Sequence, residues 1–138
     1  MTAKKYQKYV TTECSRPDPH GKIQMSTRHL GDFGGRDFSI DCSFITKPQV
    51  MIEKAHKHAF NQYLCFFGSG HYDITDFDAE IEYSLGEEHE KYIITQPTVV
   101  YVPAGLAHGP LKFVRITKPV LFVDVAQTDN YTRSWEED

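Results

Sequence analysis

The stretch Arg36-Asp-Phe-Ser-Ile-Asp-Cys-Ser-Phe44 alternates between apolar and polar side chains with a period of two. Its two phenylalanines, Ile40 and Cys42 point to one side, and the Asp and Ser residues between them point to the other. Successive side chains of a β-strand face opposite sides of the sheet, so this alternation predicts a half-buried strand. Residues 80–85 repeat the pattern, with apolar side chains on one face and two glutamates and a serine facing water.

Other parts of the chain are short segments rich in β-branched and aromatic residues, separated by turns that contain Gly or Pro. We predict further strands over residues 49–58, 62–67, 92–95, 98–102, 111–116 and 120–125. Many short strands at this spacing favour an all-β sandwich or barrel.

The length of 138 residues suits a single domain. Residues 1–35 are polar and contain several prolines and glycines, so we expect an N-terminal extension that packs on the barrel, with one strand near 22–30. Residues 36–127 would form the barrel, and residues 128–138 a C-terminal tail.

The charge balance and the apolar content exclude some classes of partner. Fifteen Lys and Arg against nineteen Asp and Glu give a net charge of -4, which argues against a nucleic-acid binder. No apolar run approaches the roughly 18 residues that a membrane span needs, and we expect no membrane partner. Cys14, Cys42 and Cys65 are widely spaced, which indicates free thiols and a cytoplasmic location.

Four polar residues have a spacing that suits a metal site. His56 and His58 are two apart and share a face if the segment is a strand. Gln62 could return to that face from the next strand, and His108 follows the tight turn that begins at Pro103. Together they could offer three imidazole nitrogens and one amide oxygen to one ion. Alternatively, the histidine pair is simply exposed on a strand edge.

The segment His56-x-His58-xxx-Gln62, followed by Gly68 and Gly70, resembles the first motif of the cupin superfamily, Gly-x5-His-x-His-x3,4-Glu-x6-Gly. In this chain Gln62 stands where the motif has Glu. A neutral amide adds no negative charge, so a bound ion would keep its full charge and favour an anionic further ligand. The alternative is a site of three histidines in which Gln62 does not coordinate.

The segment Pro103-x-Gly105-xx-His108 resembles the second cupin motif, Gly-x5-Pro-x-Gly-x2-His-x3-Asn. Pro97 replaces the leading Gly of that motif and Lys112 its final Asn, and we expect turns and packing to tolerate both changes. The resemblance covers roughly residues 36–126. It implies a small jelly-roll barrel that holds one divalent ion (Fe, Mn, Ni, Co or Zn) in its mouth and frequently forms dimers.

Strand parity suggests which side chains surround this centre. We expect Leu64, Phe66 and Lys112 to line a substrate pocket, and Lys112 or Arg36 to hold a substrate carboxylate or phosphate. The sequence singles out no catalytic residue.

The resemblance implies a metal-binding cupin that acts on a small oxygenated molecule, either anionic or enolisable, through an open coordination position. Three reaction types fit: dioxygenase, isomerase, and C–C bond-cleaving lyase or hydrolase. The alternative is a non-catalytic cupin that binds or senses a small ligand. We expect a homodimer formed through the apolar outer face around Tyr63, Cys65 and Phe67, unless residues 1–35 cover that face.

Overall fold

The fold is seen in a computed structural model, in which residues 4–30, 33, 38–128 and 134–135 are described. Their regular elements are almost entirely β-strands, joined by turns and two short 3-10 turns. The strands are β1 (Ser15–Pro17), β2 (Ile23–Ser26), β3 (Ser39–Ile45), β4 (Gln49–Ile52), β5 (His56–Lys57), β6 (Gln62–Phe67), β7 (Ala79–Leu85), β8 (Glu90–Ile94), β9 (Thr98–Val102), β10 (His108–Ile116), β11 (Val120–Ala126) and β12 (Ser134–Trp135).

The strands form two antiparallel sheets. Sheet A has the order β1-β2-β3-β11-β6-β9, and sheet B has the order β12-β5-β10-β7-β8, with β4 also paired to β10. Apolar side chains from both sheets form the core between them, among them Leu64, Phe66, Ile81, Leu111 and Phe113. This arrangement is a jelly-roll sandwich, so the all-β fold class predicted from the sequence is confirmed.

The predicted and observed strand bounds differ at several places, including the following three. The segment 49–58 is two strands, β4 and β5, because a turn interrupts it between Ile52 and His56. The N-terminal region contributes a hairpin of two strands, β1 and β2, where one strand was predicted; a turn from Asp18 to Lys22 joins them. Strand β10 begins at His108, three residues before the predicted start at residue 111.

Strand β3 shows the predicted alternation with its polar side facing into the sandwich. Ser39 and Asp41 are buried at 1% and 8% exposure, whereas Ile40 and Phe44 are 41% and 49% exposed on the outer surface. Because these polar side chains face inward, this part of the interior is polar, in contrast to the apolar core.

The outer face of sheet A is correspondingly apolar. One row across the sheet pairs Met25 with Cys42, Cys42 with Val123, Val123 with Cys65, and Cys65 with Val99. A neighbouring row contains Ile40, Val125, Tyr63 and Tyr101. We call these two rows the outer apolar face; it contains two of the residues expected at a dimer interface.

Near the N-terminus, the described residues contain one short 3-10 turn, Gln7–Tyr9. Within the described part of the chain, no helix has the length and apolar character required to cross a membrane. Near the C-terminus, the backbone of β12 pairs with β5, with Trp135 opposite His56.

Candidate metal centre

Three histidines meet in the interior. His56 on β5 pairs directly with His108 at the start of β10, and His58 follows β5 by one residue. Their side chains are buried, and their ring centroids lie 4.3 to 5.1 Å apart. One ligand nitrogen from each lies within 4.8 Å of the others. The alternative of an exposed histidine pair is therefore wrong.

The turn of the second motif, which precedes His108, is hydrogen-bonded to the segment that carries His58. Gly105 has φ +84°, the left-handed conformation that a type II turn requires at its third residue, and the Leu106 amide bonds to the Pro103 carbonyl at 3.1 Å. The Gly105 amide donates to the carbonyl of His58 at 2.9 Å. This contact fixes the turn before His108 against the strand end that carries His58.

Two of the imidazoles are oriented by a hydrogen-bonding partner on the ring nitrogen Nδ1. Nδ1 of His108 lies 2.5 Å from the Tyr83 hydroxyl, and Nδ1 of His56 faces the Lys54 carbonyl at 3.4 Å. With Nδ1 engaged in each ring, Nε2 is the atom that can coordinate, and both Nε2 atoms are buried. Partners on the far nitrogen are typical of histidines that bind metals.

Gln62 enters the site from the opposite sheet. It is the first residue of β6 and is 1% exposed. Its Nε2 atom donates a 2.7 Å hydrogen bond to Oδ1 of Asp124 on β11, which leaves the buried Oε1 atom as the possible ligand. The structure thus gives the Gln62 amide one defined orientation.

Asp124 belongs to an ionic network that the sequence analysis did not detect. Arg28 lies 3.1 Å from Asp124 and 2.7 Å from Asp41, so one guanidinium bridges two carboxylates. Burial raises the pKa of Asp124, while the charge of Arg28 and the hydrogen bond from Gln62 act in the opposite direction. The available signal was an Asp within the apolar segment Val120–Ala126, on the same face as Val120 and Phe122.

A cavity of about 110 Å³ is lined by His56, His108 and Gln62 together with Arg28 and Asp124 of this network. Leu64 lines this cavity. Phe66 does not; it is fully buried deeper in the core, with ring centroids 5.3 Å from Phe122 and 6.1 Å from Phe113. Arg36 lies outside the described residues.

The structure corrects the assignment of Lys112 to the substrate pocket. Its side chain is exposed, and the flanking Leu111 and Phe113 are the buried ones. The pairing of β10 with β7 shifts register between His108 and Leu111, which marks a bulge. A bulge changes the face on which the following residues lie, so simple alternation from His108 gave the wrong side.

Other candidate features lie away from the centre. His29 is exposed and bonds to the Glu13 carbonyl at 2.7 Å, and His71 is exposed beside Asp76. A separate apolar groove of about 350 Å³ between β8 and β9 contains none of the three histidines.

The donor set fits a divalent transition metal. Imidazole nitrogens suit Zn, Cu, Fe and Ni, and an amide oxygen is a harder donor that Mn also accepts. His56 and His108 come from sheet B and Gln62 from sheet A, so an ion held by all three would connect the sheets. Within the described ranges, the three histidines are the one group of three or more His, Cys, Asp or Glu side chains close enough to share a metal ion. The site is therefore suited to bind a metal ion.

Comparison with known structures identifies the fold class. The chain has the double-stranded β-helix fold of cupins, as its two motifs predict. No protein-family model matches the sequence, and no curated protein does.

One similar structure is an uncharacterised conserved protein with a double-stranded β-helix domain from Klebsiella pneumoniae. It is 16% identical at a TM-score of 0.55, with 94% of this chain and 97% of that chain covered. A cupin-superfamily sugar phosphate isomerase from Silicibacter pomeroyi is 10% identical at 0.54, covering 84% and 66%. Oxalate decarboxylase from Bacillus subtilis, described with Mn(II) centres, is 12% identical at 0.53, covering 88% and 29%. The chain therefore spans under a third of the decarboxylase.

Proposed function

We propose that the protein binds one divalent metal ion through His56, His58 and His108, with Gln62 as a fourth ligand, and acts on a small oxygenated anion. The observation that carries this proposal is the convergence of three buried imidazoles with nitrogens within 4.8 Å of one another. Burying three imidazoles together is costly unless a partner compensates for the lost hydration, and a metal ion is such a partner.

The charge of the donor set supports an anionic ligand. Three neutral imidazoles and one neutral amide leave the full double charge on the ion. Four protein ligands leave one or two positions open on a five- or six-coordinate ion, and an enolate or carboxylate oxygen can bind there. When bound, the metal would supply stabilisation of negative charge on oxygen, which isomerisation, C–C cleavage and oxygen-dependent cleavage all use.

The similar structures favour two of these three reaction types. One is named as a sugar phosphate isomerase and another as an oxalate decarboxylase, and both names denote anionic, oxygen-rich substrates. This support comes from the fold, which hosts many reactions, so the residues of the cavity carry the specific part of the proposal. We therefore rank isomerisation and C–C cleavage ahead of dioxygenation.

The chain's own residues prepare the cavity for such a substrate. Tyr83 and Lys54 hold two imidazoles in place, and Asp124 holds the Gln62 amide. Leu64 supplies apolar lining, which keeps water from part of the cavity. Arg28 lies at the wall of the cavity, where its guanidinium offsets the two carboxylates that it contacts.

Elemental analysis of the purified protein tests the metal site. We expect close to one divalent ion per chain and a several-fold lower content in His58→Ala. His89→Asn is the matched control, because His89 is exposed with φ +54°, a conformation that Asn tolerates. Full metal content in a folded His56→Ala/His58→Ala variant would refute the proposed site.

The second candidate is a non-catalytic cupin that binds or senses a small anion. The same geometry supports it, because an open metal position binds a ligand whether or not it reacts. Assays with 1,3-dicarbonyl and α-hydroxycarbonyl compounds separate the two: turnover that is lost in His58→Ala indicates an enzyme, and binding without turnover indicates a sensor. A cytoplasmic location is part of the proposal, in keeping with three free cysteines.

A further inference from the structure

A second, larger cavity adjoins the proposed metal centre. This groove has a volume of about 370 Å³, within the range typical of small-molecule sites. Arg28, Met51, Phe122 and Asp124 line both the groove and the metal-centre cavity, so the two are adjacent. One wall is the β1–β2 hairpin of the N-terminal extension, and the other is β4.

The hairpin turns a polar, cationic face toward this groove. Arg16 on β1 and Gln24 on β2 are paired across the hairpin and both line the groove, as does Lys22. Their neighbours Ile23 and Met25 point outward and are about half exposed. The groove-facing side of the hairpin, which would normally carry apolar side chains packed on the core, is thus polar. A polar inner surface of this kind is consistent with a ligand-binding surface.

The two hairpin cations that line the groove, Arg16 and Lys22, are available to a ligand. Among the described residues, neither Arg16 nor Lys22 forms an ion pair. The nearby Asp18 carboxylate accepts hydrogen bonds from the backbone amides of His20 and Lys22, at 2.8 and 2.9 Å. Asp18 therefore serves the hairpin turn.

Two of the three carboxylates that line the groove, Asp41 and Asp124, lie on β3 and β11 of sheet A. Asp41 and Asp124 both form ion pairs with Arg28, so the positive charge of that guanidinium is already compensated. The hairpin therefore contributes two cations and the Asp18 carboxylate to the groove, and a carboxylate pair bridged by Arg28 lies where the groove adjoins the metal-centre cavity. A ligand with an anionic group at the far end from its reactive oxygen matches this pattern.

We infer that the N-terminal hairpin forms an anion subsite, in which Arg16 and Lys22 hold the phosphate or carboxylate of a small substrate whose other end reaches the metal centre. The orientation toward the metal rests on the proposed function; binding of the anion does not. Arg presents two parallel donors to either group, and Lys adds a point charge, so the pair accepts both chemistries.

Titration calorimetry with inorganic phosphate and with succinate, at fixed ionic strength, tests the subsite. Neutral succinamide is the ligand control. We expect the affinity for at least one anion to fall roughly tenfold in Arg16→Gln/Lys22→Gln, the loss typical of one partly buried charge contact. The matched control is Lys8→Gln/Lys112→Gln, which removes the same charge from two exposed residues outside the groove and should change affinity less than about twofold.

The metal content of each variant is measured in the same preparations. Equal anion affinity in the two double variants, or no anion binding by the unmodified protein, would overturn the subsite and leave the metal proposal standing. Anion binding that depends on Arg16 and Lys22 in a protein that holds no metal would support the subsite and refute the proposed function. The phosphate and succinate results show which anion the subsite prefers.

Discussion

Nε2 of Gln62 donates a hydrogen bond to Oδ1 of Asp124 across 2.7 Å, and both residues line the cavity that His56 and His108 also line. An amide has one oxygen and one nitrogen, so this contact decides which atom is presented to the cavity. Asp124 is therefore a positioning residue for the proposed fourth ligand.

Replacing Asp124 with Ala should weaken metal binding. Without the carboxylate, the Gln62 amide loses its fixed orientation, and loss of such an orienting partner typically lowers metal affinity about tenfold or more. The measurement is a competition titration with a chelator of known affinity. If Asp124 acts through Gln62, the Gln62→Ala/Asp124→Ala double variant should bind metal no more weakly than Gln62→Ala alone. Additive losses would contradict this coupling.

The substitution Gln62→Glu should tighten metal binding only when Asp124 is neutralised as well. A Glu at this position places a carboxylate where Asp124 now receives an N–H donor, and two facing carboxylates repel each other. In Gln62→Glu/Asp124→Asn the added charge remains and the repulsion is removed. We expect tighter metal binding and weaker azide binding in this double variant, since one electrostatic effect causes both. Unchanged affinities for metal and azide would place Gln62 outside the coordination sphere.

Removal of the metal should lower thermal stability. Because the proposed ligands lie on both sheets, the ion binds the folded chain far better than the unfolded chain. At free metal of 100 times the Kd, the stabilisation is about 2.7 kcal/mol, or roughly 5–10 °C in Tm for a domain of this size. Thermal unfolding with and without a chelator measures it. His58→Ala should show little chelator effect, and a full shift in that variant would indicate binding elsewhere.

A second copy of the chain is the occupant that we expect on the outer apolar face. The alternative was that the N-terminal extension covers this face. Residues 4–30 leave it open: the extension continues sheet A at its edge, and Tyr63, Val99 and Tyr101 remain 41 to 53% exposed. Contiguous exposed apolar surfaces are typical of protein–protein interfaces, so we propose a second copy as the occupant.

Light scattering at micromolar concentration should therefore give twice the chain mass of 15.9 kDa. Val99→Lys should shift the protein toward the monomer, whereas Val114→Lys, a similarly exposed site on β10, should not. A monomer mass for the unmodified protein would refute the homodimer.

The ion pair of Asp76 should make stability depend on pH in the acid range. The hydrogen bond from Lys118 and that from His71 lower the pKa of Asp76 below its usual value. A carboxyl with a lowered pKa in the folded state stabilises the protein above its ordinary pKa, and this contribution is lost as the pH falls through the lowered value. Asp76→Asn should therefore reduce Tm at pH 7 and match the unmodified protein well below about pH 3.9. A Tm difference that does not change with pH would contradict this assignment.

Local spacing was sufficient for the all-β class and for the pair His56 and His58, and the resemblance to two cupin motifs supplied the jelly roll and connected His108 to that pair. The alternation of β3 and the pair His56 and His58 are properties of single strands, and Gly105 marks the turn before His108. Contacts between distant segments were not accessible in this way. Arg28 meets Asp124 across 96 positions of sequence, and no local pattern connects them.

Two features of the structure could not be predicted from the simple alternation of side chains along a strand. The bulge near His108 moved Lys112 to the surface, since one extra residue changes the face of everything that follows. In β3, alternation correctly separated two faces, but it carries no information about which one is inside. Asp41 is buried instead of Ile40, and its charge is offset by the salt bridge from Arg28, which lies on a separate segment of the chain.

The division of the cavity between hairpin and barrel has a consequence for how the protein can change over time. The groove cations fall within residues 16–28, whereas the three histidines fall within residues 56–108. If the hairpin forms the proposed anion subsite, mutations in a short N-terminal stretch alter which molecules bind while the proposed metal centre is inherited intact. A laboratory selection for new substrates should accordingly begin by randomising the hairpin, since this leaves the chemistry and most of the core untouched.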